Sequence, residues 1–156
     1  MQKNPFFWVV AIAGLILDQV TKYVISQAFN NVGETVPLWA GVFHITYVKN
    51  TGAAFSFFTG GVSWLRWLSL AVSLGLMGLA RFTRLEKIEQ LGYGCVLAGA
   101  LGNGVDRFIF GYVIDFLDFR LINFPVFNVA DICINIGIFF LLIANFTIKN
   151  PSRRKR

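Results

Sequence analysis

Histidine occurs once in this chain of 156 residues, cysteine twice, and charged residues make up only 14% of it. The lone His44 falls in the alternating stretch "VFHITYV", which reads as a strand. It has no second histidine for a metal centre and no evident serine partner for a serine–histidine mechanism. Cys95 and Cys133 lie in apolar runs, far apart and without metal-type spacing, so packing is their expected role and neither a metal nor a cofactor is expected. Internal repeats, low-complexity tracts and a linker to a second domain are also lacking.

What is present is oil. The chain is 56% hydrophobic and 16% aromatic, too apolar for a domain whose surface must meet water. A helix crosses the hydrocarbon with roughly 20 mostly apolar residues. Four runs qualify, at about Phe6 to Ile25, Trp64 to Phe82, Leu91 to Arg107 and Asp131 to Ile148. The expected fold is an all-α integral membrane protein, one domain over 1–156 with four transmembrane helices. Between the first two runs, Gly33, Pro37, Gly41, Gly52, Gly60 and Gly61 surround the alternating "GVFHITYVKN". That pattern predicts a small β-containing cap at about 29–61. The first run, with Lys3 before it and "AIAG" within it, resembles a signal peptide, but it continues well past the small residues and reads as retained.

Basic residues give the orientation. Lys3, Arg81, Arg84, Lys87, Lys149 and the four in "SRRKR" put 9 of the 14 Lys and Arg on one side. Both termini and the basic tail at about 149–156 should therefore be cytoplasmic, with 26–63 and 108–130 outside. Trp39, Trp64 and Trp67 near the outer boundary and Trp8 near the inner one fit an aromatic belt. The net charge of +6 is then a topology signal and an attraction to anionic membrane lipid; no nucleic-acid partner is expected, because no reading module accompanies the tail.

Against this background the ionisable residues converge on one level. Counting at about 1.5 Å per residue from Phe6, Asp18 lies roughly 18 Å in and Lys22 roughly 24 Å in, near the outer interface. The third run ends there in "GNGVDR" and the fourth starts there with Asp131, while Asp115 and Asp118 lie in the connection between them. Each residue also has a plain structural reading. Asp18 and Lys22 fit an i,i+4 ion pair. Asn128 and Asp131 fit the N-cap and third residue of the last helix. Arg107 could reach lipid phosphate, Asp106 could sit at the surface, and Asp118 reads as solvated.

The connection containing Pro125 is short, so Asp115 and Asp131 can face each other at the membrane surface. Two carboxyls about 3 Å apart would share a proton, one acting as base and one as acid. Such a pair can activate water against an amide carbonyl and protonate the leaving nitrogen. A small proton- or ion-coupled transporter is the alternative from another class, because intramembrane carboxylates also mark conduction paths. It would more naturally place them near the midplane between two related halves. A structural membrane scaffold would not need so many polar groups at one face.

The segments "DQVTK" (18–22), "NTGAAF" (50–55), "GALGNGVDR" (99–107), "VIDF" (113–116) and "FNVAD" (127–131) resemble, in order and spacing, the motifs of bacterial lipoprotein signal peptidase, also called signal peptidase II. The resemblance covers essentially the whole chain. It implies an aspartic endopeptidase of the bacterial inner membrane with Asp115 and Asp131 as catalytic residues. The implied substrates are diacylglyceryl-modified prolipoproteins, cut just before the lipidated cysteine. Asp18, Lys22, Asn50, Gly52, Asn103, Asp106, Arg107, Asn128 and Ala130 would line or brace the site. A monomer is expected, with "NTGAAF" as the edge of the cap that meets substrate. Gly104 stands where relatives are expected to carry an apolar side chain.

Overall fold

The computed structural model describes residues 4–52 and 62–148. Residues 1–3, residues 53–61, which include the second half of "NTGAAF" and Gly60 and Gly61 of the expected cap, and the basic tail at 149–156 lie outside the described residues. Four long helices, α1 (Pro5–Ala28), α2 (Val62–Phe82), α3 (Lys87–Ile109) and α4 (Val129–Ile148), overlap the four apolar runs. Their ends are set by local chemistry. Pro5 at the first turn of α1 costs no hydrogen bond, since that N–H would be unpaired in any case. A reciprocal capping box of Glu86 and Glu89 starts α3.

Among the described residues, three helices are long and apolar enough to cross a membrane: α1, α2 from Trp64, and α4 to Phe146. The sequence expectation of four spans is met for these three. The exception, α3, has 23 residues and packs against α1, α2 and α4. Its buried positions include Gly92, Gly94, Ala98, Gly99, Ala100, Gly102 and Gly104. A helix surrounded by other helices needs small side chains more than oily ones, because close backbone approach rather than hydrophobic burial drives packing in lipid. Gly104 follows this logic. A Cβ there would stand 3.0 Å from that of Ser69 on α2, so its lack of a side chain is matched by a closely apposed neighbour.

The exterior is inverted relative to a water-soluble protein. Val9, Ile12, Ile16, Val20 and Val24 of α1 face outward, whereas Phe7, Ala11, Asp18 and Lys22 form its buried stripe. The upper half of that stripe is charged.

Beyond the helices, β1 (Thr35–Trp39), β2 (Phe43–Asn50) and β3 (Val113–Phe119) make one antiparallel sheet in that order. The first two strands bear out the strand-bearing cap. The third comes from the connection between α3 and α4, where no strand was expected. Phe127 closes its far edge, accepting hydrogen bonds from Phe116 and Leu117 and donating one back to Leu117. Tyr47, Ile114 and Phe116 pack the sheet on Ile25 and Phe29, near the end of α1. The sheet is thereby fixed to the ends of the helices that carry the polar residues.

Candidate active site

The lowest tier of the polar cluster is a buried ion network. The Lys22 ammonium lies 2.8 Å from Asp18 Oδ2, 2.9 Å from Asp106 Oδ2 and 3.0 Å from Asn103 Oδ1. The ammonium donates to Asn103 Oδ1 and offsets the two carboxylates as a compact point charge. Lys22 is 3% exposed and Asp18 fully buried, so neither charge could be left unpaired without a large penalty. Asp18 also accepts the Ala130 N–H at 2.8 Å through Oδ1, which joins α1 to the first turn of α4. Gly102 makes room for this contact, since a Cβ there would collide with the Asp18 carboxylate. Gln19 completes the tier by donating to Asp106 Oδ1 at 3.0 Å and to the Gly102 carbonyl at 3.3 Å.

Asparagines carry the order upward. Because Asn103 Oδ1 accepts from Lys22 and from Asn128 Nδ2, its own Nδ2 is turned to Asp131 Oδ1, at 2.9 Å. The cation thus fixes the sense of an amide that would otherwise be ambiguous. Asn128, fully buried, donates from Nδ2 to Asp115 Oδ1 at 2.6 Å as well as to Asn103. Its Oδ1 accepts the Asp131 N–H at 3.0 Å, and Asp131 Oδ2 accepts the Asn128 N–H at 3.1 Å. This is a capping box at the start of α4, as the sequence suggested. The structural role of the pair and its place beside Asp115 coexist.

Asp115 arrives from the sheet. It pairs with Val48 across β2–β3, and Asn50, two residues further along β2, donates Nδ2 to Asp115 Oδ2 at 2.8 Å. The Asn50 Oδ1 accepts the Gly52 N–H at 2.9 Å, so this amide too has a fixed sense. Burial pushes the Asp115 carboxyl up to about 6; the charge of Asp131 adds to the rise, and the hydrogen bonds from Asn50 and Asn128 oppose it. Arg107 turns inward rather than toward lipid, with Nη1 donating to the Asn103 carbonyl at 3.3 Å and Nη2 reaching the Gly52 carbonyl at 3.4 Å.

Asp115, Asp131, Asn50, Gly52, Asn103 and Arg107 all line one cavity of about 810 Å³ between the sheet and the upper ends of α3 and α4. Asp18, Lys22, Asp106, Asn128 and Ala130 stand behind that wall and hold it. All eleven residues singled out from the sequence therefore meet in one connected cluster. Asp106 departs from the surface reading, being 2% exposed. Asp118 departs from the solvated one: it accepts Thr46 Oγ1 at 2.6 Å and Arg120 Nε at 2.8 Å. Burial opposes its ionisation, but these donors and the Arg120 charge prevail and hold it below the usual carboxylate range. It clamps β2 to β3 away from the cavity, and His44 pairs with it in register. His44 is buried in the sheet and bonds Thr35 Oγ1 and the Gly41 N–H.

Two residues were missed. Gln19 adjoins Asp18, but which face of a helix meets α3 is not written in a dipeptide. Asn135, a polar interruption of the apolar α4, lines the same cavity one turn below Asp131. Four-residue spacing from Asp131 was its available signal.

The geometry has close counterparts among known proteins. A lipoprotein signal peptidase of Gloeothece citriformis is 68% identical over 155 residues, covering 99% of this chain and 97% of its own. One from a Synechocystis species is 68% identical over 146 residues, covering 94% of this chain and 91% of its own. A bacterial membrane enzyme structure solved by the in meso method at 2.3 Å resolution is similar with a TM-score of 0.84 and 30% identity, over 100% of this chain and 97% of that one. The family model described as signal peptidase (SPase) II matches residues 10–147. That match runs from the second turn of α1 to the last turn of α4, and the chain belongs to the signal peptidase II family of membrane peptidases.

Proposed function

We propose that the protein is an aspartic endopeptidase that removes signal peptides from diacylglyceryl-modified prolipoproteins, cutting just before the lipidated cysteine. Asp115 and Asp131 are its catalytic residues. The single observation that carries this reading is the position of Asn128, which hydrogen-bonds both aspartates at the wall of one cavity. Neighbouring carboxylates in one site resist double ionisation, and burial together with the charge of Asp131 raises the Asp115 carboxyl, so that the pair can hold one proton. Because the two are coupled, the proton belongs to the pair.

In the reaction, the ionised member takes a proton from water as its oxygen attacks the scissile carbonyl carbon. The protonated member gives its proton to the carbonyl oxygen. Collapse of the tetrahedral intermediate then breaks the C–N bond, with a proton delivered to the leaving nitrogen. Asn50, Asn103 and Asn128 hold the carboxyls in place, and Arg107 and Gly52 border the substrate path. The Lys22 network braces all of them. No cofactor takes part.

The membrane setting is part of the same proposal. With α3 counted as a fourth span, shielded from lipid by its neighbours, both termini lie in the cytoplasm and the sheet and cavity lie at the extracytoplasmic face of the bacterial inner membrane. A signal peptide in the bilayer then delivers its cleavage site to the depth of the aspartates by partitioning alone. The cap at 29–61 shields backbone groups of the unwound peptide, and one monomer with its surrounding lipid suffices for turnover.

Cleavage of a diacylated lipobox peptide in detergent tests the assignment. Asp115→Asn and Asp131→Asn are expected to abolish turnover while the thermal transition stays cooperative. Brisk cleavage by either variant removes that residue from the catalytic pair.

A further inference from the structure

Most polar groups on the cavity wall are occupied inside the protein. Asn50 is held at both ends of its amide, by Asp115 and the Gly52 N–H. Asn103 is held at both ends by Asp131 on one side and Lys22 with Asn128 on the other. Asn135 differs at its oxygen. Like those two amides it has one acceptor for Nδ2, the Asp131 carbonyl at 2.9 Å, which leaves a second N–H, but among the described residues its Oδ1 also has no protein partner. The side chain is exposed, lines the cavity, and stands on a helix long and apolar enough to span a membrane.

Its neighbours on that wall are Ile132 and Ile136, so it is a lone amide in an apolar strip leading away from the aspartates. At about 1.5 Å per residue it lies roughly 6 Å along α4 from Asp131. A polar group at such a place is costly unless something bonds it.

We propose that Asn135 is a substrate-positioning residue that donates its free N–H to a carbonyl of the bound lipopeptide one helical turn from the cleaved bond. This rests on the peptidase reading of the same cavity. Two carbonyl sources fit the chemistry. The last turn of a helical signal peptide ends in C=O groups that have no partner within the helix, and unwinding near the cut leaves them facing apolar surroundings. The diacylglyceryl group carries ester carbonyls of similar acceptor strength. In either case the contact fixes how far the substrate slides along α4.

Two substitutions separate this role from a structural one. Asn135→Leu removes both the bond to Asp131 and the free donor. Asn135→Thr keeps a donor to the carbonyl four residues earlier, because a helical threonine hydroxyl can bond there, but offers no N–H to the cavity. Both variants are expected to lower kcat/KM on a diacylated lipobox peptide about tenfold, the effect of one hydrogen bond. In each, the pH profile of kcat should remain that of the wild type. Normal cleavage by the Thr variant, a wild-type Leu variant, or a displaced pH profile in both would overturn the proposal and leave Asn135 as a prop for Asp131.

A peptide with ether-linked chains identifies the acceptor. If Asn135→Leu costs the same tenfold on it, a peptide carbonyl is the partner; if wild type itself falls to the level of the variant, an ester is. An equal rate for wild type and variant on the ether peptide, both at the wild-type diester rate, would refute the contact. Binding of the diacylated peptide to Asp115→Asn, with and without Asn135→Leu, reads the contact without turnover. A tenfold weaker Kd is expected in the double variant. Retained cleavage by Asp115→Asn would instead overturn the catalytic reading, whatever Asn135 does.

Discussion

Asn128 and Asp131 cap each other: each side chain accepts the backbone N–H of the other, at 3.0 and 3.1 Å, across the first turn of α4. The exchange leaves the Asn128 Nδ2 free to bond Asp115 and Asn103. A helix start has thereby become the joint between the two aspartates. Asn128→Ala should lose both functions, with a stability cost of about 1–2 kcal/mol from the lost cap and a loss of peptide cleavage of roughly 100-fold or more. Asn128→Asp retains the cap acceptor but sets a third carboxylate against Asp115, and should be equally inactive. Thermal melts beside cleavage rates check both outcomes.

The raised Asp115 carboxyl predicts a particular pH dependence of stability. Its pKa is about 6 in the folded protein against an ordinary 3.8, so between those values the folded state binds more protons than the unfolded state. Stability contributed by this group is complete below about pH 4 and is lost as pH rises through 6. Comparing melts of wild type and Asp115→Asn, the difference should move in favour of wild type by up to about 3 kcal/mol on going from pH 7 to pH 4. A difference that is flat, or that moves the other way, would show that burial does not dominate at Asp115.

Lys22 offsets the charges of two buried carboxylates, Asp18 and Asp106, and donates to buried Asn103. Lys22→Met should destabilise the protein by about 3–5 kcal/mol, because it strands two buried carboxylates. Lys22→Arg should not restore it, since a larger planar fork cannot replace a compact point charge between two buried carboxylates. The monodisperse fraction after detergent extraction and the melting midpoint would register both effects.

Glycines separate close packing from mere helix composition. Gly102→Ala should push the Asp18 carboxylate off the Ala130 N–H and cost about 1–3 kcal/mol. At Gly75 on α2 a Cβ would meet nothing within 4 Å, so Gly75→Ala should be neutral or stabilising by up to about 1 kcal/mol. Parallel melts of the two variants test the contrast.

The sequence by itself determined whatever rests on composition or on spacing of a few residues. The apolar runs become helices because a helix satisfies its backbone hydrogen bonds within a single segment, as crossing lipid requires. The i,i+4 spacing of Asp18 and Lys22 made their ion pair legible, and the three-residue spacing of Asn128 and Asp131 did the same for the cap. Together with the motif resemblance, those signals were enough to gather the site residues by name.

Only the tertiary structure decided how they are joined. Asp115 reaches the cluster because β3 pairs with β2 in one register, and a slip of one residue would turn its side chain to the opposite face. The same pairing turns Asp118 into a clamp for the sheet, although the sequence left it in solvent. Lys22 is shared with Asp106 and Asn103 because small residues let α3 approach α1 closely. Asn135 acquires its place from the cavity that the sheet closes over α4. Local spacing fixes which neighbours meet within a turn, whereas contacts across eighty residues depend on how whole elements pack.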